Sequence, residues 1–580
     1  MGHPLFRRKP IGEIMQDKGD AEAHAHGLSR VLTVRDLTFF GIAAIIGAGS
    51  FSSLGGAVFN GGPGVVILFI ICGIACAFTA FCYAEFASRI PVAGSAYTYA
   101  YASFGELFAW MIGWALILEY SIGNIYVAFS WSDYFTSFLS KLQVHIPDYL
   151  TTSYMEAKGA VAGGSPNEEM LSAWNTAPLL GDLRIIFDLP ALIITMLISI
   201  LVYRGIKESR NFSNAMVLIK LAVVLLVIVV GGVLIFSNDL TGNWLPANDA
   251  NVRSFMPNGF GGVMMAVSGV FFAYIGFDAV SVLAEESKNP QRDLPRAMIM
   301  SLVLCTVIYI LLTLVLTGAA NYRKFEGVGD PLAFIFEPQN LNVGWMQFVV
   351  ALVAVVAMTS VLLVFQMGQP RIWMTMSRDG LLPNKFQKIH PQYKTPSFST
   401  IIAGLLVMIP LLFTDKTFVL DFTSIGTLFA FVLVCGGVLL IPRKEKIAGK
   451  FHLPYVNARL IFPAIIIGAI AIVLFTSDRY FTELFNGDFT DYSGTSNSGD
   501  FLFPTTAQKV STIIFWIICV ALSLLAFIKN YSLIPLLGLV SCLYLLTGMT
   551  ASNWKYFAIW LAIGLVIYFI YGYKKSKLNI

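Results

Sequence analysis

The chain has 580 residues, 57% of them hydrophobic, only 12% charged, with a formal net charge of +4 and a mean hydropathy of +0.73. A soluble protein of this length carries about a quarter charged residues, so a string of soluble domains is excluded. The composition predicts an all-α polytopic membrane protein with no nucleic-acid partner, while the net charge says little about partners because the basic residues are sorted by side.

Residues 1–36 are predicted to form a cytoplasmic segment. Its start, "MGHPLFRRKPIGEIMQDKGD", is basic and polar, so no cleavable leader is expected. It is either a short surface helix or a solvated tail. Fourteen apolar spans follow, at about 37–59, 64–88, 105–136, 188–204, 213–236, 260–285, 297–319, 343–376, 398–414, 417–441, 459–476, 509–528, 531–549 and 554–573. With the N-terminus inside, most of the 38 Lys and Arg fall in segments that face the cytoplasm. They include "RGIKESR", "KNPQRDLPR", "PRKEK" and "YKKSK". That asymmetry places both termini in the cytoplasm and the protein in a cell membrane, the inner membrane if bacterial. All seven cysteines lie in apolar spans, so no external disulfide framework is expected. The polar loops near 137–187 and 477–508 read as outer surface.

The first span carries "AAIIGAGSFSSLGG", which puts Gly47, Gly49 and three serines at the depth of the midplane. These are weak helix formers with nothing apolar to offer lipid. The sixth span carries a second interruption, "GVFFAYIGFDAVSVLAEES", with Gly276 and Asp278 at mid-depth. The third and eighth spans are both longer than the roughly 20 residues a crossing needs. Matching first to sixth and third to eighth implies a five-span repeat. Five is odd, so the second copy must be inverted. The domains are then 37–236 for the first repeat, 237–441 for the second and 442–580 for four further helices and a tail. Broken spans at corresponding places in two inverted halves point to a carrier's binding site. A break in the bilayer must line a polar cavity, because lipid satisfies no free N–H or C=O. The half-helix beginning near Ser50 would aim its positive end at a carboxylate there. A packing kink is the plainer alternative.

"IIGAGSF", "CYAEFASRIPVAGSAYTY", "FGELFAWMIGW", "FFAYIGFDAVSVLAEESKNPQRDLP" and "MSRDGLLP" resemble the amino acid–polyamine–organocation superfamily. The similarity is to its cationic amino acid transporter branch and the bacterial homologues of that branch. It is dense over ten spans and loose over the last pair. The resemblance implies the leucine-transporter fold, with a 5+5 inverted repeat plus four helices, and alternating-access transport of amino acids. It implies that amides of Gly47, Ala48, Gly49 and Ser50 hold a substrate carboxylate. Carbonyls of Ile45 and of Phe272, Ala273, Tyr274, Ile275 and Gly276 would hold its ammonium. The family usually has Ser or Thr where this chain has Ala48, and Ile where it has Ser50. The hydroxyls of Ser50, Ser52 or Ser53 are expected to compensate by donating to the carboxylate.

Three ionisable residues lie deep in spans: Glu119, Lys220 and Asp278. Each is costly there and so is a functional candidate. Asp278 can cap the second half of the broken sixth span. Lys220 either snorkels to the interface or carries a proton, since burial disfavours an ammonium. In the resembling family a Lys at this place stands where sodium sits in sodium-coupled relatives, and touches carbonyls of the first break. Thr359 and Ser360 resemble the hydroxyl pair of that alternative sodium site. Glu119 is expected either to face the cavity near Lys220 and Tyr309 or to make a structural hydrogen bond between helices. Glu85, Glu285 and Glu286 read as gate or topology residues at span ends.

The resemblance places Phe365 beside the substrate side chain, where it would fill the depth a long cationic chain needs. The predicted cargo is a small neutral L-amino acid such as alanine, taken up with a proton. The plainer reading has Phe365 packing only on the third span. Cationic substrates, exchange and sodium symport are the alternatives within the class; a nutrient sensor or channel is the alternative outside it. No HExxH or GxxxxGK[ST] motif is present, and all six histidines fall in termini or loops, so neither an enzyme nor an ATP-driven pump is expected. No cofactor or metal is expected. The partners are an amino acid, a proton and the lipid bilayer, with a small membrane subunit or a second copy left open.

Overall fold

A computed structural model describes residues 6–10, 12–14, 32–92, 94–163, 168–204, 210–247, 251–284, 287–393, 395–440, 451–477, 479–487, 490–491, 502–503 and 505–579. The first span is broken into α1 (Val34–Ile45) and α2 (Leu54–Gly61), joined by a wide helical turn over Gly49–Ser53. Next come α3 (Val65–Arg89), a short helix α4 (Ser95–Ser103) and α5 (Glu106–Lys141). The first half ends with α6 (Leu189–Arg204) and α7 (Arg210–Ser237). The sixth span is again in pieces: α8 (Gly259–Met265), α9 (Val267–Phe272), then a tight helical turn at Asp278–Leu283. After it come α10 (Pro290–Ala319), α11 (Gly344–Arg378), α12 (Ser397–Leu411) and α13 (Lys416–Leu440). The chain closes with α14 (Ala458–Thr476), α15 (Thr506–Lys529), α16 (Leu533–Leu546) and α17 (Ala551–Ile567).

Among the described residues nine helical stretches are long and apolar enough to cross a membrane, and three shorter ones (α6, α12 and α16) are apolar as well. Fourteen spans were expected. The difference has local causes. The first two expected spans run on as one stretch, Val34–Arg89, and the glycine-broken sixth contains no continuous long helix. The only strands among the described residues are Leu179–Leu180 and Leu183–Arg184, paired antiparallel in the loop before α6.

Burial sorts the helices into centre and rim. In α5, 94% of the most apolar stretch is buried, against 17% for α14 and 22% for α15. Helix α5 is central because it packs along both α11 and α13, while α10 packs on α1 and α3. Its 36 residues make a rod about 54 Å long at 1.5 Å per residue, so its ends project beyond the hydrocarbon. Helices α14 and α15 share a small core of their own around Phe462, Phe515, Cys519 and Leu536. The seven cysteines are buried and unbridged. Glu85 is buried at the end of α3, paired with Arg89 and accepting from the Leu453 amide at 2.7 Å. Glu285 and Glu286 lie outside the described residues.

Candidate functional site

The two backbone breaks lie against each other in the centre of the bundle. Helix α1 ends where Ile46 turns extended, with φ −78° and ψ 93°. The Gly47 amide donates to no backbone carbonyl among the described residues, whereas the Ser50 and Phe51 amides both return to the Gly47 carbonyl at 3.0 Å. A Cβ on Gly49 would stand 2.4 Å from the Ala273 Cα of the second break. Glycine is required there because backbone meets backbone. Gly276 has φ +118°, and a Cβ on it would meet the Ala44 carbonyl group at 2.9 Å. Each break thus needs its glycine to admit the other.

Tyr309 of α10 staples them. Its hydroxyl reaches the Ile45 carbonyl at 2.9 Å and the Ala273 carbonyl at 2.8 Å, one from each break. The expectation grouped Tyr309 with the charges; the structure places it on the carbonyls assigned to a substrate ammonium. Tyr309→Phe removes the shared donor, and an unmet buried polar group costs roughly 1–3 kcal/mol. The expected result is a melting temperature lowered by a few degrees and weakened ligand binding, both read by thermal shift with and without amino acid. Tyr274 turns its hydroxyl to the Phe69 carbonyl of α3, 2.8 Å away.

The serines after the break do not offer their protons to a ligand. Ser50 donates to the Gly47 carbonyl at 3.0 Å, Ser52 to Gly329 at 2.7 Å and Ser53 to Gly49 at 2.6 Å. Each hydroxyl is taken up by a main-chain carbonyl, two of them in the break's own turn. The expected compensation for Ala48 by serine hydroxyls is therefore corrected: these hydroxyls are spent on carbonyls, and the Gly47 amide is the main-chain donor left without a backbone acceptor among the described residues.

Lys220 is 1% exposed. Its ammonium donates to Ser360 Oγ at 2.6 Å and reaches the Ala43 and Ile46 carbonyls at 3.4 and 3.5 Å. It does not snorkel. It ties α7 and α11 to the end of α1, where the first break begins. Thr359 parts from Ser360: its hydroxyl accepts from the Trp131 indole at 2.8 Å and donates to Val355. The two hydroxyls expected to act as a pair thus serve different neighbours.

Glu119 belongs elsewhere. Its carboxyl lies against Thr427 of α13 and near Asp278. Among the described residues it is hydrogen-bonded to neither Lys220 nor Tyr309, and its contact with α13 is the one the interhelical alternative expects. Glu119 and Asp278 each bury one carboxylate oxygen that has no hydrogen-bond partner. Phe365 is 4% exposed, and its ring meets Tyr120 edge-on at 5.5 Å and lies beside Gly123. It packs on α5.

A cluster of contacts links the breaks to α5 and α13. Tyr134 donates to the Phe51 carbonyl at 2.5 Å, and Lys416 pairs with Asp133 while its amide donates to Glu156 at 3.0 Å. Tyr126 lies between this pair and the second break: the Lys416 ammonium is 5.6 Å from its ring, which meets Phe272 at 4.6 Å. Sequence reasoning missed Tyr126, Lys416 and Asp133, because they are far apart along the chain and carry no motif.

Two helix breaks packed on each other and a buried amine on one of them lie at the centre of a bundle of long apolar helices. Residues 32–488 match the amino acid permease family, and residues 531–576 match the C-terminal region of amino acid permeases. The chain belongs to the amino acid permease family, within the amino acid–polyamine–organocation superfamily, and is a multi-pass membrane protein. It is similar to the branched-chain amino acid permease BcaP of Bacillus subtilis, 36% identical over 99% of both chains. It is likewise similar to the methylthioribose transporter of that organism, 34% identical over 99% of both. The vacuolar cationic amino acid transporter 4 of Arabidopsis thaliana is 35% identical over 75% of this chain and 67% of its own length.

Proposed function

We propose that this protein is a secondary active carrier, not an enzyme, that takes up neutral L-amino acids with protons by alternating access. The observation that carries the reading is the meeting of two broken helices whose glycines admit one another, with the Lys220 ammonium on the carbonyls of the first. The Gly47 and Gly49 amides then hold the substrate carboxylate. Its ammonium joins the Tyr309 hydroxyl on the Ile45 and Ala273 carbonyls, each of which has a second lone pair to offer. The architecture is a 5+5 inverted repeat with four added helices, fourteen spans in all, in a cell membrane with both termini inside.

Proton coupling is favoured over sodium because Lys220 holds Ser360 and Thr359 is turned to Trp131, so the hydroxyl pair is divided. Protonated, Lys220 bridges Ser360 to α1; deprotonated, it loses the charge that draws the two carbonyls in. That change would loosen the first break and link a proton to the gate.

The cargo is a small or medium neutral side chain. Phe365 fills volume beside the centre, and the similar Bacillus subtilis protein named a branched-chain permease fits a neutral class. In proteoliposomes, excess alanine or leucine should block uptake of labelled alanine at least tenfold better than arginine. Phe365→Ser should narrow that gap. Strong uptake of arginine by the unaltered protein would overturn the neutral assignment.

A further inference from the structure

The strap at residues 6–10 and the tail at residues 572–579 meet at one end of the bundle, and the transport cycle proposed above does not use them. Glu106, the first residue of α5, is fully buried. Its carboxylate accepts from three hydroxyls: Tyr101 at 3.1 Å, Tyr568 at 2.9 Å and Ser576 at 2.5 Å. Tyr568 and Ser576 belong to the last turns of the chain, beyond α17. Charge-assisted bonds of this kind are about twice as strong as neutral ones, and here they are shielded from water.

Asp379, just past the end of α11, forms a second hub. It takes the Lys9 ammonium and the Tyr97 hydroxyl, each at 2.7 Å, and its carbonyl accepts from the Lys577 amide at 3.1 Å. The N-terminal strap 6–10 and the tail 572–579 also hold each other, through Arg7 Nη1 to the Leu578 carbonyl at 2.7 Å. The strap is further bonded to the start of α5 and to α4: the Glu106 amide donates to Arg7, and the Lys9 amide to Tyr101.

Glycines mark both joints. Gly105 has φ +106°, and a Cβ there would stand 2.6 Å from the Phe6 carbonyl carbon. Gly380 has φ +83°, and a Cβ there would stand 2.3 Å from the Lys575 carbonyl oxygen. The backbone is shaped to receive each terminus. Helix α4, which the strap and hubs clamp, also reaches the second break: Ser281 donates to Ser95 at 2.9 Å, and Tyr99 meets Tyr83, whose ring packs on Phe277. The clamp therefore adjoins the elements that must part for a ligand to leave on this side.

We propose that the C-terminal tail is a latch: through Ser576 on Glu106 and Leu578 on Arg7, it fastens the N-terminal strap and α4 across this end of the bundle and restrains its opening. The part about opening rests on the alternating-access reading above. Releasing the tail frees the strap, so α4 and the start of α1 move apart more readily.

The test compares the full-length protein with Ser576→Ala, Ser576→Asp and a chain ending at Gly572, each in detergent and in proteoliposomes. Hydrogen exchange at residues 7–9 and 97–106 is the first readout. Removal of the tail should speed exchange there at least tenfold, with Ser576→Asp, which sets a carboxylate against Glu106, close behind and Ser576→Ala smaller. Alanine counterflow is the second readout and should quicken two- to fivefold. Unchanged strap exchange in the truncated chain and in Ser576→Asp would overturn the latch. Faster exchange with unchanged counterflow would overturn its control of opening. Absence of counterflow in the unaltered protein, with strap exchange still tail-dependent, would instead count against the transport reading.

Discussion

Gly49→Val is expected to abolish amino acid binding while the protein still folds. A Cβ at this position would lie 2.4 Å from the Ala273 Cα and 3.1 Å from the Ala273 amide nitrogen. Both are backbone atoms held in the second break, so no flexible side chain can give way. The two breaks would be pushed apart by about an ångström, and displacements of that size cost on the order of 100-fold in function where geometry is set by backbone. The remaining helices keep their contacts, because α5, α11 and α13 form the core without Gly49. A monodisperse profile in detergent with no ligand-induced rise in melting temperature is the expected outcome. Unchanged affinity in that folded variant would remove the glycine break from the site.

Lys220→Met should remove the stimulation of uptake by an inward proton gradient. Methionine matches much of the lysine stem and fills the same buried space, but it cannot donate to Ser360 or to the Ala43 and Ile46 carbonyls. A gradient of one pH unit is worth about 1.4 kcal/mol per proton, enough for about tenfold accumulation with one proton per substrate. The unaltered protein should approach that factor and the Met variant should equilibrate without accumulating. Sodium dependence with no response to a pH gradient in the unaltered protein would favour the Thr359 and Ser360 site instead.

The breaks were legible in the sequence because glycines and serines at midplane depth have few other uses in a membrane. Lys220 was legible for the same reason: an ammonium far inside an apolar span is costly unless something answers it. What answers it could not be read. Ser360 and Thr359 are neighbours in the chain but face different helices, and only packing decides that one meets Lys220 and the other Trp131. Glu119 stayed open between two readings for a related reason. Its depth is visible from spacing, yet the side of α5 it occupies depends on how α5 sits against α13. Tyr309, whose hydroxyl serves both breaks, carries no local signal beyond being a tyrosine in an apolar helix. The meeting of the two chain ends on Glu106 and Asp379 links residues more than 350 positions apart, beyond the reach of any periodicity. The expected fourteen spans and the nine long helices differ chiefly where breaks and short helices interrupt the pattern.

The central claim is that this chain carries a neutral amino acid across a membrane with a proton. Its most direct test is uptake of labelled alanine into proteoliposomes, with and without an inward pH gradient, against liposomes lacking the protein. Saturable uptake that accumulates alanine about tenfold over the equilibrium level under a one-unit gradient, and collapses when a protonophore is added, is the result expected. Saturable binding without uptake, or uptake indifferent to the gradient and to the protonophore, would contradict it.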